Sequence, residues 1–231
     1  MKKNRQAGII LGIIFLSAAA FGQARGQGSN KIEGGKKIAK TYFDLMVNVA
    51  STNVNYGSAN SSLTDYKKSA NGIQAGVSLQ AGITSGFSLV SELYYMTKGG
   101  QLKANNPMSA NESTLQFNTL ELPVLARFHM GKFYINAGPS IAYNISGNSK
   151  INDQSTKLLF ENSSEGFKRL EAGIQLGGGV EFPFKQKRIV LDIRYNYGLT
   201  NIVYTKEMYN RALMISVHYS KAWKTNPLAG R

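Results

Sequence analysis

The chain has 231 residues, no cysteine and a formal net charge of +14 at pH 7. That length suits one domain, and the missing thiols exclude disulfides and thiolate metal sites. The cations are scattered rather than gathered on one stripe, three fall within the first six residues, and no nucleic-acid motif is present, which excludes a nucleic-acid partner.

The N-terminus comes first in chain order. Lys2, Lys3 and Arg5 precede residues 7–22 (AGIILGIIFLSAAAFG), which are apolar or small. A basic start, a short apolar run and a small-residue end are the parts of a secretory signal peptide. The run of about 16 residues is short of the ~20 a spanning helix needs. Residues 1–22 are therefore read as a cleavable signal, cut after Gly22 or Ala24, and residues 23–40 as a polar lead expected in the periplasm.

From residue 41 onward apolar and polar side chains alternate in eight segments, at about 41–51, 72–83, 87–98, 115–128, 132–146, 169–184, 188–200 and 211–223. In the first, Phe43, Leu45, Val47 and Val49 oppose Asp44, Met46 and Asn48. In the second, Ile73, Ala75, Val77 and Leu79 oppose Gln74, Gly76, Ser78 and Gln80, and the seventh sets Ile189, Leu191, Ile193 and Tyr195 against Asp192, Arg194 and Asn196. Side chains on a strand point to opposite faces in turn, so each segment is a strand with one oily and one polar surface. No 20–50-residue repeat suggests a solenoid or propeller. After the signal no apolar run is long enough for a spanning helix, and the other structure that satisfies every backbone group in lipid is a closed barrel.

The connections alternate. Short ones lie around Thr84-Ser85-Gly86, His129-Met130-Gly131 and Lys185 to Lys187; long ones, rich in Asn, Ser, Gly and Lys, span about 52–71, 99–114, 147–168 and 201–210. Starting long, this is the pattern of an outer-membrane barrel with both termini in the periplasm. The expected fold is all-β: an eight-stranded antiparallel up-and-down transmembrane β-barrel over residues 41–223, followed by a polar tail at 224–231. A soluble lipocalin-like barrel has the same alternation with the oily face turned inward. Three features favour the membrane: the apolar face is uniform, aromatics recur toward its ends (Tyr95, Phe128, Phe133, Tyr143, Phe182, Tyr197, Tyr219), and glycines crowd the polar face.

Eight strands enclose room for side chains but not for an aqueous channel. Ionisable groups on the inward face, namely Glu92, Glu121, Glu171, Glu181, Asp192, Lys98, Arg127 and Arg194, must then pair. The site expected is a structural lumen charge network centred on Glu92, Glu121, Arg127 and Arg194, with one of the arginines reaching one of the glutamates. Catalysis has little support. His129 falls in a predicted turn; His218 shares a face with Ser216, and Asp192 could join them, but such neighbours occur in any barrel. No metal-ligand spacing such as HExxH is present, and Gly177-Gly178-Gly179 lies mid-strand rather than before a helix, so it is no phosphate loop. No cofactor, metal or catalytic residue is expected.

The segments FSLVSELYYMTKGG (87–100), FNTLELPVLARF (117–128), FYINAGPSIAY (133–143), GIQLGGGVEF (173–182) and LDIRYNYGLTNI (191–202) resemble, in that order, the PorT-like outer-membrane β-barrel family of Bacteroidota, the "porin family" proteins. The resemblance runs from Thr41 to Tyr219. It implies an outer-membrane location, an eight-stranded barrel and a link to secretion machinery of the kind associated with the family's namesake. One departure stands out: where relatives stop at the aromatic residue closing the last strand, this chain continues past Tyr219 through Trp223 to Arg231. The functional expectation is a non-enzymatic integral outer-membrane protein with a structural or accessory envelope role. Expected partners are outer-membrane lipid, the barrel-assembly machinery and an unidentified envelope protein. The alternatives are a small pore or transport protein and a soluble lipocalin-like binder of an apolar ligand.

Overall fold

The computed structural model describes residues 41–222 except 59, 153, 185 and 186. The signal (1–22), the lead (23–40), Trp223, the tail (224–231) and most of the Lys185–Lys187 connection lie outside the described residues.

The strands are β1 (Tyr42–Asn55), β2 (Lys67–Lys68), β3 (Ala70–Thr84), β4 (Phe87–Leu102), β5 (Ser113–Met130), β6 (Phe133–Ile151), β7 (Gln154–Lys157), β8 (Leu170–Phe184), β9 (Lys187–Gly198) and β10 (Tyr209–Ala222). Eight of them pair antiparallel in the ring β1–β3–β4–β5–β6–β8–β9–β10, and β10 pairs again with β1 from Tyr42↔Ala222 to Asn55↔Tyr209. The ring of eight thus closes on itself, which lipid demands. β2 and β7 are short ribbons that extend β4 and β6 at the long-loop end.

Side-chain orientation decides between membrane and soluble barrel. The oily face points outward: Val49 is 61% exposed and Ile73 71%, whereas Glu92 and Arg194 are each 1% exposed. A soluble barrel would reverse this, so the lipocalin-like alternative falls. The outward face carries Phe128, Phe133, Phe184 and Tyr219 near the short turns and Tyr95, Tyr195 and Tyr197 toward the other end, the two aromatic girdles of a membrane band.

Six of the eight ring strands run past the predicted bounds at the long-loop end, whereas β8 and β9 stop one and two residues short of them. β5 has 18 residues and β6 has 19, where a membrane crossing needs only ~9–11. The wall therefore rises above the belt, and on β1 the outward face changes there from Leu45, Val47 and Val49 to Ser51, Asn53 and Asn55. His129, expected in a turn, closes β5 instead, paired with Tyr134. The long loops are not merely solvated. A 3-10 helix at Ser61–Tyr66 brings in Leu63, which packs with Val54, Tyr56, Leu102, Phe117, Ile202 and Val203, and Leu158, Phe160, Phe167 and Met208 flank them. Burial raises the Tyr56 hydroxyl to about 12, so it stays protonated at neutral pH. This apolar cap lies over the mouth of a polar lumen.

Candidate functional site in the barrel lumen

Inward parity places Asp44 on β1, Glu92 and Lys98 on β4, Glu121 and Arg127 on β5, Glu171 and Glu181 on β8, and Arg188, Asp192 and Arg194 on β9, all inside the barrel. Buried charges persist only when paired and hydrogen-bonded, and here they sort into three tiers.

In the middle tier the Arg194 guanidinium donates Nη1 to Glu92 Oε2 at 2.7 Å and Nη2 to Glu92 Oε1 at 3.0 Å, a bidentate pair spanning the lumen. Its Nε donates to Asp192 Oδ1 at 2.6 Å. The other Asp192 oxygen accepts from Asn136 Nδ2 at 3.1 Å and from the Tyr134 hydroxyl. Gln175 extends the chain: its Oε1 accepts from Arg194 at 3.2 Å and its Nε2 donates to Glu121 Oε1 at 2.9 Å, which also accepts from Asn196 Nδ2 at 2.8 Å. Glu121 has no cation within 4.0 Å among the described residues, and its Oε2 finds no hydrogen-bond partner.

Of the four residues expected at the centre, Glu92 and Arg194 meet directly, and Glu121 is linked to Arg194 through Gln175. Arg127 lies apart. β5 sets it opposite Ser88, whereas Glu121 is opposite Tyr94. The two are six positions apart along the strand, on the order of 20 Å. Arg127 instead stacks 3.9 Å over the Tyr134 ring and donates Nη1 to Gln80 Oε1 at 2.9 Å.

The tier by the short turns is built on Arg188, which the sequence reading left out. Its Nη2 donates to Asp44 Oδ2 at 2.9 Å, Nη1 to Glu181 Oε1 at 2.9 Å and Nε to Ser220 Oγ at 3.0 Å, and the Tyr42 ring stacks at 3.7 Å. Parity could have found it, since Arg188 shares a face with Asp192 and Arg194, but it sits beside a turn rich in lysine. At the opposite end Lys98 Nζ donates to Glu171 Oε2 at 2.8 Å, and Asn144 and Asn210 supply further donors to that carboxylate.

In neither serine–histidine–acid grouping does the acid hydrogen-bond the imidazole. His218 Nδ1 is 3.8 Å from Asp44 Oδ2 and makes no hydrogen bond to Ser216, while Asp192 is engaged by Arg194, Tyr134 and Asn136. A different set arises at the short-turn mouth, where Ser88 Oγ lies 2.8 Å from His129 Nε2. The acid beyond it, Glu181, is 3.9 Å from His129 Nδ1 and turns its Oε1 toward Arg188 and Arg127. An orienting carboxylate must hydrogen-bond the imidazole to fix its tautomer, and this one serves the arginines.

Two inward glycines on β8 make room for the network. A methyl group on Gly177 would collide with the Arg194 side chain and the Ile193 carbonyl, and one on Gly179 with the Tyr134 hydroxyl. Gly177→Ala is expected to destabilise the barrel by about 1–3 kcal/mol through overpacking, read from urea titrations in lipid vesicles. Gly86→Ala, with open space around it, is the control and should differ little from wild type.

An oily belt around an ion-paired lumen defines an integral transmembrane β-barrel. The chain belongs to the outer membrane protein beta-barrel domain family, whose pattern it matches over residues 27–204; it is an outer-membrane protein. No curated protein matches it significantly. Similar solved structures include OprG from Pseudomonas aeruginosa, an outer membrane protein (9% identity, covering 84% of this chain and 100% of that one, TM-score 0.45). Neisserial surface protein A is another (11%, 78% and 97%, 0.43). A third is Ail, the attachment invasion locus protein of Yersinia pestis, in complex with the heparin analogue sucrose octasulfate (11%, 78% and 99%, 0.42).

Proposed function

We infer that this outer-membrane barrel has a structural or accessory role in the envelope, neither catalysing a reaction nor conducting solutes. It is read as a PorT-like barrel of the Bacteroidota type, with both termini in the periplasm and the long loops outside. Its partners are outer-membrane lipid, the barrel-assembly machinery that inserts it and a further envelope protein. The observation that carries the reading is the filled, capped interior: Arg194, Glu92 and Asp192 bridge the lumen, and Phe117, Ile202 and Leu63 pack over its long-loop mouth. A hydrated pore needs neither feature. The misdirected acid behind Ser88 and His129 supports the absence of hydrolytic chemistry.

Reconstitution of the purified protein in planar bilayers is the test. No steady conductance is expected in molar salt. A steady, nonspecific conductance would remove this reading and favour the small pore.

A further inference from the structure

At the long-loop end, where the outward face turns from oily to polar, a groove of about 340 Å³ opens on the outside wall across β9, β10, β1 and the segment before β3. Its floor is Tyr195 and Leu213 at the upper margin of the apolar belt. Its upper wall carries Asn53 and Asn55, and two cations, Lys67 and Arg211, line it. Arg211 is held in place: its guanidinium stacks 3.5 Å over the Tyr197 ring, and Nη1 donates to the Gly198 and Asn210 carbonyls. That clamp uses one nitrogen of the fork. Among the described residues, no carboxylate lies within 4.0 Å of Lys67 or Arg211, whereas the adjacent Lys68 pairs with Glu112 at 3.1 Å.

We propose that this groove is a binding site for the phosphorylated headgroup of a lipid in the leaflet at the long-loop end. The proposal builds on the outer-membrane reading and gives its lipid partner a place on the barrel. An immobilised guanidinium presents a planar fork to a phosphate, and an ammonium adds a second charge. A phosphate monoester carries nearly two negative charges, matching the two unpaired cations. Asn53 and Asn55 offer amides to the glycerol or sugar hydroxyls, and the acyl chains continue down over Leu213 and the oily face of β10. The apolar floor is what separates a lipid site from one for a free anion, because soluble phosphate gains nothing from Leu213 or Tyr195.

Native mass spectrometry of the full chain from detergent micelles, with phosphatidate and phosphatidylcholine mixed in equal amounts, tests this. Wild type should retain phosphatidate over phosphatidylcholine by about tenfold or more, a preference of ~1.4 kcal/mol. The Lys67→Ala/Arg211→Ala double variant should retain both alike, and Lys68→Ala should behave as wild type. Inorganic phosphate at millimolar concentration should not displace the lipid. Equal retention by wild type, an undiminished preference in the double variant, or displacement by inorganic phosphate would each overturn the site. Folding is checked separately by the gel mobility of each variant after refolding into phosphatidylcholine vesicles. A wild-type chain that enters no vesicle would count against the outer-membrane reading itself, and failure of the double variant alone would shift the comparison to Arg211→Lys, which keeps the charge but loses the fork and should cut the preference severalfold.

Discussion

Arg194→Met is expected to cost the folded barrel about 3–5 kcal/mol, the usual penalty for leaving a buried charge unpaired. Two carboxylates lose their cation at once, because Arg194 is bidentate to Glu92 and also donates to Asp192. Replacing Glu92 with methionine in the same chain should recover a large part of the loss, since an apolar pair of similar volume needs no partner. Recovery should stop short of wild type: Asp192 has also lost its ion-pair partner and keeps Tyr134 and Asn136 as hydrogen-bond donors. Urea titrations of protein refolded into lipid vesicles measure all three variants. If the double variant proved as unstable as the single one, Glu92 and Arg194 would not be coupled as the geometry requires.

The second large effect belongs to the outer wall. An arginine at Val77, Leu122 or Ile193 should destabilise the barrel by about 2–4 kcal/mol at the bilayer midplane. All three side chains lie on the outward face. An arginine at Gln74 should be milder. Gln74 points inward, its amide is buried without a hydrogen-bond partner, and Glu92 and Glu121 share that lumen. The same titrations compare the two faces, and equal penalties on both would contradict the assignment of inside and outside.

The period-two alternation made the eight strands and their two faces legible from residues alone. The exterior followed from the aromatics at the strand ends and the glycines opposite them. Which charge meets which was less legible, because it depends on register and tilt around the whole ring. Glu92 and Arg194 are 102 residues apart and meet across the lumen, whereas Arg127, on the same strand as Glu121, sits too near the short turns to join them. Gln175 gave no signal, since a neutral amide on an inward face looks like filler until its two ends are seen to link Arg194 and Glu121. The loop cap was hidden for another reason. Leu63, Phe160, Phe167, Ile202 and Val203 are scattered through polar loops without period, so nothing in the pattern distinguishes them from isolated exposed residues.

That cap has a consequence for how the molecule is made. Val54 and Leu63 come from the first hairpin, Leu102 and Phe117 from the second, Phe167 from the third, and Ile202 and Val203 from the fourth. No subset of hairpins contains it, so it completes only when the last strand has zipped onto the first. Before closure each loop lacks the apolar partners that the other hairpins supply; afterwards the loops share one core. Resistance of the loops to added protease is therefore expected to report ring closure, and a chain stalled with an open seam should be clipped at sites that the finished barrel hides.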